Sequence, residues 1–291
     1  MMKVRKAVIP AAGFGTRFLP FTKAVPKEML PLVDIPTVEY IVREAIESGI
    51  EEVLIIINKE KECIKTHFGH NEVLEDFLES KNKRKELEII QELPNKVKVS
   101  FTYQEEQLGL GHAVLCAEAF ANHEPFALLL GDDVYVGRTE PATKQMIDAY
   151  QQTGSSILGT LAVSEEDVSK YGICEPKQSS DGKLLELKSV VEKPSKEDAP
   201  SNLAIGGRYV LTPTIFEFLK NQTRGAGGEI QLTDSILRMM SKEKVYALAI
   251  DGVRYDIGSK KGFLEATVDF ALGREDLAKD MQEIINKRVK K

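Results

Sequence analysis

Several things are scarce in this 291-residue chain, and each scarcity closes off a class of function. Cysteine is one: Cys63, Cys116 and Cys174 are scattered, odd in number and lack metal-like spacing. They read as three unpaired thiols in a reducing compartment, not as a disulfide framework or a zinc site. Long apolar runs are another. None approaches the roughly 20 residues that cross a bilayer, and the N-terminal "AVIPAAG" is too short and too interrupted by Pro10 and Gly13 for a signal core. The expectation is a cytoplasmic protein with no membrane partner. Excess positive charge is also missing, since the formal net charge is -6. The densest basic run, Lys81 to Glu86, is interleaved with Glu79, Glu86 and Glu88 and reads as a solvated helix face, which argues against nucleic acid as a partner. No repeat, low-complexity tract or clear linker breaks the chain.

What is present suits a sizeable α/β core: 42% of the residues are hydrophobic. Apolar runs of strand length alternate with helical periodicity through "KAVIPA", "TVEYIVREAIES", "EEVLIIIN", "KVSFTYQ", "GHAVLCAEAFA" and "FALLLGD". Val38, Ile41, Val42, Ala45 and Ile46 fall on one helical face, while Val53 to Ile57 form the unbroken apolar run of a strand buried on both sides. This β-α-β wiring predicts a mostly parallel sheet covered by helices, with ligand loops at the carboxyl ends of the strands. The second half changes character. "SSILGTLAV", "LLELKSVVEKP" and "NLAIGGRYVL" read as further strands, some antiparallel, before helices return near 213–219, 229–240 and 260–272. The last segment places Leu277, Met281, Ile284 and Ile285 on one amphipathic face, to pack on its own domain or on a second subunit.

The loop "AAGFGTR", Ala11 to Arg17, follows the first strand. A dinucleotide fingerprint needs a third small residue where Phe18 stands, and a Walker loop needs a lysine after Gly15; neither is present. Asp34 lies about where a ribose-binding carboxylate falls, but "MLPLVDIP" with its two prolines makes a poor central strand. What remains is a small-residue loop whose backbone can approach an anion and whose arginine can fork onto phosphate; a structural turn with a surface arginine fits the same letters. Asp132 and Asp133 follow a buried strand on the same rim. Paired aspartates suit a hard cation bridging phosphates, or a loop cap. Together with Arg17 they point to a nucleoside phosphate, with Lys23 and Lys27 nearby. His67, His70 and His112 show no third-ligand spacing and read as capping or packing residues, not as zinc ligands.

Seven segments, "AAGFGTRFLPFTKAVPKEMLPLVD", "GLGHAV", "LLGDD", "VEKP", "APSNLAIGGRYV", "GAGGEIQLTD" and "RYDIG", resemble the bacterial UTP–glucose-1-phosphate uridylyltransferases of the wider sugar-nucleotide pyrophosphorylase family, in the family's order. The block Gly225 to Asp234 is distinctive of the uridylyltransferase branch. The resemblance implies a Rossmann-like, mostly parallel mixed central sheet flanked by helices, of the GT-A-like nucleotidyltransferase kind, with a small extra β region over the cleft. It further implies one domain over 1–273, a nucleotide half at about 1–153 and a sugar-phosphate half at about 154–273, then the helix of 274–291. Position by position, it assigns Ala11, Ala12 and Gly13 to the nucleotide, Arg17 and Lys27 to its phosphates, and Gln104 and Gly109 to the uracil edge. Asp132 and Asp256 would hold Mg2+, and Gly172, Glu192, Lys193 and Gly207 would contact glucose 1-phosphate, with Lys193 on its phosphate. The implied activity is transfer of uridylyl from UTP to glucose 1-phosphate, giving UDP-glucose and pyrophosphate, by a homodimer or homotetramer. The alternatives are a thymidylyltransferase using dTTP and a non-catalytic sensor of UDP-sugar.

Overall fold

The computed structural model describes residues 2–177 and 182–289. Its first half alternates as expected. Strands β1 (Lys6–Pro10), β4 (Glu52–Ile57), β5 (Lys98–Tyr103) and β6 (Phe126–Leu129) lie side by side and parallel, in the order β5-β4-β1-β6. Between β1 and β4 come a two-residue ribbon, β2 (Pro31–Leu32) with β3 (Ile35–Pro36), and helix α1 (Thr37–Glu47). The two prolines confine that ribbon to a minor role, since proline cannot feed a central ladder. Helices α2 (Glu62–His67), α3 (Glu72–Ser80) and α4 (Arg84–Lys96) separate β4 from β5.

The stretch read as one helix from Gly111 to Ala121 is two, α5 (Leu110–Leu115) and α6 (Glu118–Ala121). Next come β7 (Asp133–Gly137), α7 (Ala142–Thr153), β8 (Ser156–Ala162), β9 (Gly172–Pro176), β10 (Leu184–Glu192) and β11 (Leu203–Leu211). The chain closes with α8 (Ile215–Lys220), α9 (Leu232–Met239), β12 (Val245–Ala249), β13 (Gly252–Asp256), α10 (Lys260–Leu272) and α11 (Ala278–Val289).

Among the described residues the main sheet has nine strands, in the order β5-β4-β1-β6-β11-β8-β12-β10-β9. The expectation of a mostly parallel sheet holds only up to β6. Beyond it, β11 runs antiparallel to both β6 and β8, β12 pairs parallel with β8, and β10 is antiparallel to β12 and β9. No helix separates β9, β10 and β11 among the described residues, and strands joined without a crossover helix pair antiparallel.

Helices cover both faces. Val38, Ile41, Met146 and Ala266 from α1, α7 and α10 pack on one, and Val114, Phe216, Ile236 and Met239 from α5, α8 and α9 on the other. A separate antiparallel pair, β7 with β13, sets Asp133 opposite Asp256. Helix α11 runs beside α10, with Leu277, Met281 and Ile285 half-buried and Ile284 45% exposed. No helix among the described residues is long and apolar enough to cross a membrane.

Candidate active site

The loop after β1 is held from behind. The Ala11 carbonyl accepts from Lys61 Nζ at 2.6 Å, and the Ala12 carbonyl accepts from Asn58 Nδ2 at 2.7 Å. Lys61 also pairs with Glu28 at 2.7 Å, where both side chains are buried. With these carbonyls tied to the interior, Gly13 is bare: no heavy atom stands within 4 Å of where its Cβ would be. Gly15 takes a left-handed φ of 64°, and a Cβ there would sit 3.2 Å from Lys27 Cβ. Glycine therefore permits both the turn and the close approach of the segment carrying Lys27.

That approach brings the charges together. Lys27 Nζ donates to Asp132 Oδ2 at 2.5 Å, and Arg17 Nη1 donates to the Gly258 carbonyl at 3.0 Å. Where Gly258 would carry a Cβ there is a small polar cradle instead, with Asp132 Oδ2 at 2.6 Å, Asp256 Oδ1 at 3.0 Å and Arg17 Nη1 at 3.3 Å. Burial works against the Asp132 charge, yet Lys27, Arg17 and Arg254 outweigh it and hold the carboxyl below its ordinary value.

Asp133 plays a different part from its neighbour. It is 3% exposed and turned inward, with Arg254 Nη2 at 2.5 Å from its Oδ1. Burial pushes its carboxyl up, to about 7, against the attraction of Arg254. Burial and ion pairing thus oppose each other here, and the 2.5 Å contact decides for the charged pair, with Arg254 held more firmly protonated than usual. Only Asp132 and Asp256 are left to share the cradle, and among the described residues no cluster of three His, Cys, Asp or Glu side chains could hold a metal. His67 and His70 pair with Glu39 and Glu75.

Gln104 is 4% exposed, and its Nε2 reaches the Gly109 carbonyl at 3.2 Å. Gly109 has φ 100°, and a Cβ there would meet Glu229 Cβ at 2.7 Å, so the loop presses against the segment Gly225 to Gln231.

At the other end, Lys193 has a left-handed φ of 46° just past β10. An extended chain points neighbouring side chains to opposite sides. This kink instead brings Lys193 Nζ within 3.4 Å of Glu192 Oε1. Gly172 lies between Glu192 and Thr233: its Cβ would meet Thr233 Oγ1 at 2.9 Å and Glu192 Oε2 at 3.3 Å. Gly207 backs directly onto the Asp133 carboxylate, which leaves no room for a side chain. Tyr171 joins the two ends, because its carbonyl accepts from the Lys193 amide at 3.0 Å and its hydroxyl accepts from Arg254 Nη1 at 3.3 Å.

Lys61 and Tyr171 carry no signal in the sequence beyond ordinary charge and aromaticity, while Glu28 and Arg254 lie within the segments that carry the resemblance but have no role assigned to them there. A cavity of about 1130 Å³ lies elsewhere, lined by Met29, Tyr40, Leu93, Phe270 and Arg274 among others, and contains none of the expected site residues. Convergent charge, not volume, marks the candidate site.

A profile of the nucleotidyl transferase family matches residues 6–272, and the chain belongs to that family. It is 50% identical over 291 residues to the UTP–glucose-1-phosphate uridylyltransferase of Bacillus subtilis (strain 168), covering 99% of each chain. To the UTP–glucose-1-phosphate uridylyltransferase of Staphylococcus epidermidis it is 49% identical over 285 residues, 98% of each chain. Among solved structures, a UDP-glucose pyrophosphorylase complexed with UDP-glucose superposes with a TM-score of 0.85 at 40% identity, covering 93% of this chain and 100% of that one. The resemblance read from the seven segments is borne out.

Proposed function

We propose that this protein transfers a uridylyl group from UTP to glucose 1-phosphate, releasing pyrophosphate and UDP-glucose. The observation that carries the reading is the cradle beside Gly258, where Asp132, Asp256 and Arg17 converge next to Lys27. Two carboxylates with no third ligand among the described residues fit a hard cation that takes its remaining oxygens from phosphates and water, and the donor set is all oxygen, as magnesium prefers. When bound, that ion would supply positive charge where the two polyanionic substrates meet.

The chain's own residues do the rest. Gly13 lies bare to the triphosphate, while Arg17 and Lys27 face the phosphates that leave. Gln104 and Gly109 take the uracil edge. Glu192 accepts sugar hydroxyls, with Gly172 and Gly207 lining the sugar, and Lys193 holds the attacking phosphate. A phosphate oxygen of glucose 1-phosphate forms a bond to the α-phosphorus of UTP while the bond to the α,β-bridging oxygen breaks, and pyrophosphate carries off the electron pair. The attacker is already an anion, so no general base is needed; catalysis is positioning and charge neutralisation. We read the β7–β13 pair as the small β region over the cleft; it sets Asp256 opposite Asp133, beside Asp132.

The test is a matrix of nucleoside triphosphates against sugar 1-phosphates, read as pyrophosphate release. UTP with glucose 1-phosphate should be turned over fastest. Equal or faster turnover of dTTP would make it a thymidylyltransferase, and UDP-sugar binding without pyrophosphate release would make it a sensor.

A further inference from the structure

The Gln104 amide is tied at both of its hydrogens. Nε2 donates to the Gly109 carbonyl at 3.2 Å and lies 3.0 Å from Nδ1 of His112. A carbonyl can only accept, so the end of the amide beside Gly109 must be the nitrogen, which settles the orientation without appeal to the histidine. With one hydrogen on Gly109, the other points at His112 Nδ1. That nitrogen must then be the acceptor, and the imidazole carries its proton on Nε2.

The amide oxygen is left over. It has no protein partner among the described residues, and it is not among the buried side-chain atoms that are both sealed from solvent and without a hydrogen bond. The backbone that carries the ring is held in place. The Gly111 amide donates to the Ile230 carbonyl at 2.8 Å, the Ile230 amide donates to the Leu108 carbonyl at 2.7 Å, and Cys116 Sγ reaches the His112 carbonyl at 3.3 Å.

We propose that His112 is a positioning residue for base selection: it holds the Gln104 amide with its oxygen toward the cleft, so that a pyrimidine carrying N3–H is accepted and one with a bare N3 is refused. This rests on the reading of Gln104 as the residue that faces the base. Uracil offers N3–H to that oxygen. Cytosine offers a lone pair, and to suit it the amide must turn over, which sets Oε1 against both the Gly109 carbonyl and Nδ1. Removing His112 removes one of those two obstacles.

Steady-state kinetics with UTP and CTP test this in Gln104→Ala, His112→Ala and His112→Asn. His112→Ala should raise KM for UTP about tenfold with kcat within about threefold, and lower the UTP-over-CTP ratio of kcat/KM on the order of tenfold, the worth of one hydrogen bond. Asparagine places Oδ1 about where Nδ1 stands, and should restore both quantities. If Gln104→Ala leaves KM for UTP unchanged, the base reading itself fails. If Gln104→Ala raises KM and relaxes the ratio while His112→Ala leaves the ratio at the wild-type value, only the positioning role falls. Nitrogen-15 NMR of the wild-type ring with UTP bound needs no variant: a bare Nδ1 and protonated Nε2 support the proposal, and a proton on Nδ1 overturns it.

Discussion

Lys61 stands 2.7 Å from Glu28 beneath the first loop, the pair joining residues thirty-three positions apart at a point where neither meets water. Lys61→Met should therefore destabilise the protein by about 3 to 5 kcal/mol, because it strands a buried carboxylate. Adding Glu28→Gln should recover part of the loss. Denaturant unfolding of the single and double variants measures both, and equal stability of Lys61→Met and wild type would show that the pair contributes nothing.

The cradle beside Gly258 makes a prediction about metal. Asp132→Asn and Asp256→Asn should each lower kcat/KM on the order of a hundredfold or more while leaving the circular dichroism spectrum intact, since an amide offers oxygen without charge. Chelation should silence the wild type. Ordinary activity in either variant at normal magnesium removes that residue from the site.

The kink at Lys193 makes a prediction about the sugar. Lys193→Ala should cost on the order of a hundredfold in turnover, because it takes a cation from where charge concentrates, yet leave UTP affinity by calorimetry unchanged. Glu192→Gln should narrow the preference for glucose over galactose 1-phosphate. A loss of UTP binding as large as the loss of turnover in Lys193→Ala would move that residue off the sugar face.

Acid stability offers a fourth check. Side-chain bonds from Arg5 and Lys6 hold the Glu124 carboxyl down at about 2, against an ordinary value of 4.5. A depressed folded pKa stabilises above the unfolded value and ceases to as pH falls through the folded one. The Tm gap between wild type and Glu124→Gln should thus be full above about pH 4.5 and shrink toward pH 2. A gap that is constant across that range would exclude the ion pairs as its source.

Much of this was legible in the letters. Val53 to Ile57 could only be a strand buried on both faces, and the small-residue loop had to follow β1. Antiparallel strands in the second half were legible in their helix-free succession, but which strands reverse was not, because strand direction depends on connections and not on apolar pattern. Asp132 and Asp133 look alike in sequence; only the pairing of β7 with β13 turns one to the cradle and the other to Arg254. Lys61 sits in "NKEKE" and reads as surface charge, since nothing local reports Glu28. The break between α5 and α6 leaves no mark in the letters, because helical periodicity continues across Cys116 and Ala117.

The reversal between β6 and β11 divides the molecule along a seam. Loops belonging to the parallel strands carry Ala11 to Arg17, Gln104 and Asp132, while the mixed strands beyond carry Gly172, Gly207 and the Glu192–Lys193 corner. Tyr171, with its grip on both the Lys193 amide and Arg254, is a further tie between them at the cleft. The two blocks share one sheet, with β11 paired to β6 and Arg208 bonded to Glu44, but their ligand-facing loops are separate and can diverge at different speeds. A lineage can try new sugars by drift in residues 172–207 while the nucleotide side stays under its own constraint, and a graft of that stretch from a relative should carry sugar preference with it as a cassette.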